Sequence, residues 1–432
     1  MQVLFFKSSG IWNVRMERSM TRIFLAKTSI SYYDEMMHLV FLDRREIRMD
    51  KRVYLLTIVS FVVGMVELII GGILDLIAED LDVSLGKVGL LITIFSLTFA
   101  IAAPILLYVT SQVERKKLML ITLIVFFFGN LLAVFSPTYY VLFASRIFLA
   151  MSGSLLVVLC ITLASNIVEP AYRGRAIGIV VMGVSGSLVL GVPIGLMLGN
   201  AFGWRAPFAF IAILTALSFT GIYFFMGKVN PRPTVSLGEQ MATLKNRKVF
   251  FAQFTTFLFL AGHMTLYGYL TPFLKSTMGL DGSWISIIYL IFGVAAVTGG
   301  GIGGTLSDRF GSKKIVLSVI AIFGLALFTL PHVTFALPIF LVILVIWGMS
   351  NWAITPAMQS YLIEVSPETA DIQQSLNNSA LHLGIAFGSY IGSIIIERTS
   401  VEHNATTGTV MVVLALATAF ISMAGQRSRE MA

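Results

Sequence analysis

Between Val53 and Met423 the chain repeats one pattern, a run of about twenty mostly apolar residues followed by a short polar or basic break. A helix of that length rises about 1.5 Å per residue and so matches the roughly 30 Å hydrocarbon core of a bilayer. In lipid every backbone N–H and C=O must be satisfied within the segment or a closed barrel. The runs lack the alternation of barrel strands, so they predict helices. Twelve are expected, at 53–75, 84–109, 118–136, 139–165, 176–200, 205–226, 248–274, 283–306, 315–332, 336–363, 372–396 and 406–424. The chain is therefore predicted to be an all-α membrane protein with twelve transmembrane helices.

Composition excludes several alternatives. Only 12% of residues are charged and 57% are hydrophobic, against about a quarter charged in soluble domains. The formal net charge of +8 does not point to nucleic acid, because its basic residues sit between apolar runs and no recognition motif accompanies them. The single cysteine, Cys160, lies inside an apolar run, which leaves neither an internal disulfide nor a thiolate-rich metal site. No HExxH, GxSxG or Walker A pattern is present, so neither an enzyme nor an ATP-driven pump is expected. No cofactor and no metal site are expected.

The longest polar break, KVNPRPTVSLGEQMATLKNRK, divides the chain into six helices and six. The expected organisation is a leader at 1–50, a first bundle at 51–227, a linker at 228–247 and a second bundle with a short tail at 248–432. The leader is mixed and basic without sustained periodicity, and MDKRVYLL at Met49 reads as an ordinary start before a spanning helix. It is read as disordered or as an over-long start. Arg115, Lys116, Lys117, Arg173, Arg175, Arg309, Lys313 and Lys314 fall on one side of the membrane, against Lys87, Arg205, Lys275 and Arg398 on the other. Lysine and arginine favour the cytoplasmic side, so both termini are expected in the cytoplasm and the protein in the plasma membrane.

The halves resemble each other at an offset of 195 to 199 residues: Glu169 maps to Glu364, Gly191 to Gly388, and DVSLG to DGSW. Duplicated bundles around a central site are common among secondary transporters. Gly183, Gly191 and Gly195 in the fifth helix, and Gly384 and Gly388 in the eleventh, recur on one helix face. Such ridges allow backbones to approach closely and are read as packing surfaces on which helices can rock. Pro193 is expected to bend the fifth helix.

These motifs together resemble a known family. GGTLSDRFGSKK at 303–314 is similar to the G-x-x-x-D-R-x-G-x-[RK]-[RK] loop of the major facilitator superfamily. SRIFLAMSGS and GVPIGLMLG resemble the fourth- and fifth-helix motifs of its drug:proton antiporters, and GMVELIIGGILDLIAEDLDVSLGKVGLLITIFSL resembles the bacterial twelve-helix efflux branch. LAGHMTLYGYLTPFL, VIWGMSNWAITPAMQSYLIE and DIQQSLNNSALHLGIAFGS look most like bacterial purine efflux pumps. The resemblance covers residues 51–425 and implies two pseudo-symmetric six-helix bundles. It also implies a conformational latch at Gly304, Asp308, Arg309 and Gly311, with Asp308 and Arg309 pairing across the seam in one state and parting in the other. The first-half copy, YVTSQVERKK, lacks the Asp-Arg pair. Glu114, with Arg115 and the lysines beside it, is read as the substitute.

Charges at membrane depth are costly, about 2.5–3.5 kcal/mol for an arginine at a helix centre. Arg146 sits roughly 10 Å, and Glu67 roughly 14 Å, below the same surface by residue rise, so the two are expected to pair. Burial favours the neutral acid and a neighbouring guanidinium favours the carboxylate. Balanced between them, Glu67 is the expected proton carrier, drawing on about 2.3 kcal/mol per proton per 100 mV. Its counterpart in the second half, 196 positions later, is His263. With Tyr267, Trp347, Asn351, Trp352, Asn377, Asn378 and His382 it forms a polar-aromatic set suited to a neutral planar ligand, since amides and imidazoles pair with ring edges and indoles stack on ring faces.

The expected function is proton-coupled export of small planar solutes, purine bases or nucleosides, by a monomer embedded in lipid. A multidrug, chloramphenicol-type or sugar exporter on the same fold is the near alternative. A non-transporting membrane sensor is the distant one, and it predicts soluble domains or long tails.

Overall fold

The computed structural model describes residues 49–169, 172–230 and 237–424, so the leader expected at 1–50 lies almost wholly outside the described residues. From Asp50 onward the chain forms one compact unit. Among the described residues, twelve helical spans are long and apolar enough to cross a membrane, and no strand occurs.

The first half contains α1 (Lys51–Gly72), α2 (Leu74–Asp80), α3 (Leu85–Val109), α4 (Arg115–Val134), α5 (Tyr139–Ile167), α6 (Arg173–Gly186), α7 (Val192–Phe202) and α8 (Ala206–Phe225). A short helix in the linker, α9 (Leu237–Thr243), leads to the second half. That half comprises α10 (Arg247–Tyr267), α11 (Leu270–Met278), α12 (Gly282–Phe310), α13 (Ser312–Thr329), α14 (Leu337–Val365), α15 (Ala370–Arg398) and α16 (Glu402–Met423).

Polar residues mark where apolar helices begin. Asp50, Ser84, Glu114, Asn246 and Asp281 each accept a hydrogen bond from a first-turn backbone N–H, satisfying donors that the helix leaves over. Gly311, at φ +87°, ends α12 and opens α13; a left-handed φ there suits glycine alone among common residues.

The first and seventh spans are both interrupted at the same repeat position. α1 ends at Gly72 and α10 gives way to α11 across Gly268 and Tyr269. The fifth span is also interrupted: a single π-turn, Ser187–Gly191, separates α6 from α7 just ahead of Pro193, as insertions in a helical ladder often do.

The glycine ridges pack inside each half. A Cβ on Gly183 would lie 2.3 Å from the Thr57 carbonyl oxygen of α1, and one on Gly195 2.1 Å from Ile69. Gly384 and Gly388 hold the same relation to Phe257 and Ala261 of α10. They clamp α6 and α7 to α1, and α15 to α10. The expected rocking surface lies elsewhere, where α3 meets α15 and where α12 meets α7 and the π-turn.

That seam is sealed at one membrane face. Ser389 Oγ donates to the Gly89 carbonyl at 3.1 Å, Ser84 Oγ to Glu397 Oε1 at 2.5 Å, and Lys275 pairs with Asp75. Thr271 and Tyr289 donate to the carbonyls of Gly72 and Gly71, at 3.1 and 3.3 Å, where the break in α1 leaves them accessible. At the opposite, basic face, Cβ atoms added to Gly174 and Gly178 of α6 or Gly301 of α12 would meet nothing within 4 Å. The bundles are closed at the weakly basic face and parted at the strongly basic one.

Candidate functional site

Glu67 and Arg146 do not form the expected ion pair. Arg146, fully buried on α5, donates from one terminal nitrogen to the Val66 carbonyl at 2.8 Å and from Nε to the Leu91 carbonyl at 3.4 Å. Its guanidinium lies 4.1 Å from the centre of the Phe95 ring. The arginine comes from within its own half and meets backbone of α1 and α3, whereas the Glu67 side chain turns toward the seam. The two still interact through space. The nearest basic group to Glu67 is on the other half: His382 Nδ1 of α15 lies 3.5 Å from Glu67 Oε1. Sequence offers no signal for this, because a contact between the first and eleventh spans depends on how the bundles meet.

The imidazole of His382 is held from the first half as well. It stacks on Phe99 of α3, with ring centres 4.1 Å apart and 29° between planes. Beside it, Glu67, Ser96, Ile92, Met264, Tyr267 and Ile385 line a cavity of about 30 Å³, large enough for about one water and no more.

Tyr267 connects this cavity to a second cluster. His263 lies 4.8 Å from Tyr267 and 5.2 Å from Trp347 between ring centres, and Phe292 closes the group at 4.9 Å from Tyr267 and 5.0 Å from Trp347. Asn351 follows Trp347 by one helical turn and is also buried. His263 Nδ1, Tyr267 OH, Trp347 Nε1 and Asn351 Oδ1 are buried without a hydrogen-bond partner. Such groups cost about 1–3 kcal/mol each when left unpaired, and a concentration of four is uncommon outside functional sites.

The rest of the expected ligand set falls outside this cluster. Trp352 is half-buried against Gly300 of α12, and Asn378 is exposed on α15, one turn from His382. The neighbouring Asn377 is the buried amide, donating to Gln253 Oε1 at 2.9 Å and Thr256 Oγ1 at 2.8 Å. Those bonds tie α15 to α10. Nothing in the sequence distinguishes Phe99 and Phe292 from other apolar-span phenylalanines.

In the latch region Asp308 and Arg309 are exposed at the parted face, and among the described residues they form no ion pair. Arg309 rests over Phe310 at 5.3 Å. Ser312 Oγ donates to Glu364 Oε2 at 2.9 Å, tying the loop to α14, and Gly304 packs beside Pro356 of the same helix. Glu114 does not reach across the seam. It caps α4 through the N–H groups of Lys116 and Lys117 and accepts from Val229 N–H, at the start of the linker, at 2.8 Å; these bonds hold its carboxyl below the usual range despite partial burial. The Arg115 side chain is buried, and its guanidinium donates to the Thr110 and Ser111 carbonyls at 3.4 Å.

Residues 56–389 match the profile described as Major Facilitator Superfamily. The chain belongs to the major facilitator superfamily. Among its relatives, the uncharacterized MFS-type transporter YbcL of Bacillus subtilis is 37% identical over 365 residues, 84% of this chain and 94% of that one. The inner membrane transport protein YdhP of Escherichia coli K12 is 28% identical over 372 residues, 85% of this chain and 94% of that protein. A protein named probable sugar efflux transporter from Mannheimia succiniciproducens is 27% identical over 361 residues, 83% and 90% of the two chains. Among solved structures, a bacterial homolog of the human lysosomal transporter Spinster, inward-facing and unoccupied, superposes with a TM-score of 0.73 at 16% identity, covering 87% of this chain and 97% of its own. This major facilitator chain is thus a multi-pass membrane transporter with twelve spans in two pseudo-symmetric bundles.

Proposed function

We propose that this transporter exports small planar, hydrogen-bonding solutes, purine bases or nucleosides, in exchange for protons. The observation that carries the reading is the group of four unpartnered polar atoms on His263, Tyr267, Trp347 and Asn351, framed by aromatic rings. Together they offer donors and acceptors to a ring edge and faces to a ring plane, without a net charge. Such a site favours a neutral heteroaromatic solute over a lipophilic cation.

Glu67, which shares a cavity with Tyr267, is the proton carrier in this reading. Alternating access brings it to each side in turn, so one carboxyl group couples the solute to the proton gradient, and no cofactor is required. The basic face, placed in the cytoplasm of a plasma-membrane protein with cytoplasmic termini, is then the side from which solute enters. A 30 Å³ cavity is far below the roughly 300 Å³ of a small-molecule site, so entry involves parting the rings between Tyr267 and Trp347.

Uptake of labelled adenine into inverted vesicles tests both parts. Acidifying the lumen is expected to drive accumulation, and Glu67→Gln to abolish it while solute exchange persists. Undiminished accumulation in Glu67→Gln rejects the proton role. The sugar efflux relative supports a second reading, since aromatic faces and amides also suit sugars. Competition by arabinose but not adenine selects it.

A further inference from the structure

Among the described residues, two contacts between an acidic and a basic side chain join the halves of this transporter. Lys275–Asp75 lies at the membrane face with both side chains partly exposed. Glu67–His382 lies inside, its side chains only 17% and 6% exposed, at the inner end of the seal that begins with Ser389 and Gly89. Phe99 fixes the imidazole plane, so Nδ1 is presented to Glu67 and not to the open side. Opening the weakly basic face separates α1 and α3 from α15, and this contact cannot survive it.

We propose that the Glu67–His382 pair is a latch that prevents the empty carrier from opening toward the weakly basic face, and that proton and solute each release it by engaging one member. The proposal builds on the antiport reading above and assigns His382 to coupling, where sequence had placed it among the solute contacts. When the pair holds one proton it attracts, either as carboxylate and imidazolium or as acid and imidazole. A second proton leaves a neutral acid beside an imidazolium and removes the charge attraction. A solute that hydrogen-bonds the imidazole, approaching from the parted side where Asn378 is exposed on the same helix, removes the partner instead. The other ionisable groups around the pair are Arg146 from α5, held on the Val66 and Leu91 carbonyls, and Tyr267 from α10, on the cavity wall. The Tyr267 hydroxyl has no hydrogen-bond partner, and α3 faces the pair with Ile92, Ser96 and Phe99.

The consequence is the rule any tight exchanger obeys: the proton-loaded and solute-loaded forms change access, and the empty form does not. A latch made of one group from each half enforces that rule directly, because unloaded side chains find each other only when the face is closed.

The test uses the full-length protein in proteoliposomes, with Cys160→Ala and nitroxide labels at Glu79→Cys and Glu402→Cys, exposed positions on opposite halves of the closed face. Without solute at neutral pH, the parent is expected to show one short label distance. His382→Gln is expected to add a longer population of at least about 10%, corresponding to the loss of roughly tenfold or more in closing equilibrium. His382→Lys, which keeps a cation opposite Glu67, is expected to retain the short distance, and this contrast separates a latch from general damage to packing. With labelled adenine as probe, His382→Gln, whose amide still offers the solute a hydrogen bond, is expected to lose at least tenfold more in proton-driven accumulation than in adenine exchange. A single short distance and coupled accumulation in His382→Gln overturn the latch. So does loss of adenine exchange with unchanged distances, which makes His382 a solute contact alone. Should Glu67→Gln still accumulate adenine, the antiport reading falls; should Glu67→Gln uncouple transport while His382→Gln stays coupled, the latch alone falls. The distance measurement needs no solute and stands whatever the substrate proves to be.

Discussion

Arg146 shows how a costly residue is made tolerable without a direct ion pair. Two backbone carbonyls and the face of Phe95 receive the guanidinium, and its planar fork and delocalised charge suit both kinds of contact. The arginine thereby stitches α5 to α1 and α3. Lysine cannot reproduce this arrangement with a single point charge. Arg146→Lys is therefore expected to lower the melting temperature in detergent, reflecting a loss of about 1–3 kcal/mol, and to reduce transport at least tenfold. A variant with parent-like melting would show that the carbonyl contacts contribute nothing. Residue identity made Arg146 and Glu67 conspicuous in the sequence, because charge at membrane depth is rare. Their partners were not legible. An arginine can be satisfied by backbone, which every position carries, so no residue pattern announces it.

At the level of helices, the same small residue does different work depending on what faces it. A Cβ on Gly388 would lie 2.1 Å from the Ala261 carbonyl oxygen, whereas one on Gly174 would meet nothing within 4 Å. Gly388→Ala is expected to cost about 1–3 kcal/mol by overpacking, and Gly174→Ala to be neutral or slightly stabilising through helix propensity. Thermal unfolding of the two variants side by side checks this. The breaks in the first and seventh spans have a consequence for gating. Where α1 stops at Gly72 its last carbonyls accept from Thr271 and Tyr289 across the seam. Removing both hydroxyls with Thr271→Val and Tyr289→Phe is expected to weaken closure by about 0.5–1.5 kcal/mol per bond, seen as faster thiol labelling of a cysteine at Ser389. Unchanged labelling would assign the seal to side-chain packing alone. Glycine periodicity was visible in the sequence and predicted close packing correctly. It did not reveal that the ridges bind helices within a bundle, since a stripe of small residues carries no address for its neighbour.

For the whole molecule, the latch loop is the part that waits for another conformation. With the basic face parted, Asp308 and Arg309 stand exposed and, among the described residues, in no ion pair, and Glu114 is committed to capping α4 and holding Val229. If Asp308 meets a first-half cation when the basic face closes, Asp308→Asn is expected to leave the melting temperature unchanged and to slow transport several-fold. Label distances across the basic face would then shift toward the parted state, and transport at the parent rate would remove Asp308 from the cycle. The number of spans, their all-helical character, the duplicated halves and the family followed from the chain's own pattern, because bilayer thickness and backbone hydrogen bonding leave a long apolar run almost no alternative. Which glycine meets which carbonyl emerged only when the helices of each bundle packed, and which face is sealed, and that Glu67 turns to His382 instead of Arg146, only when the two bundles were brought together. Those contacts join residues more than a hundred positions apart, and they are selected by how two surfaces fit, a property that no local run of residues contains.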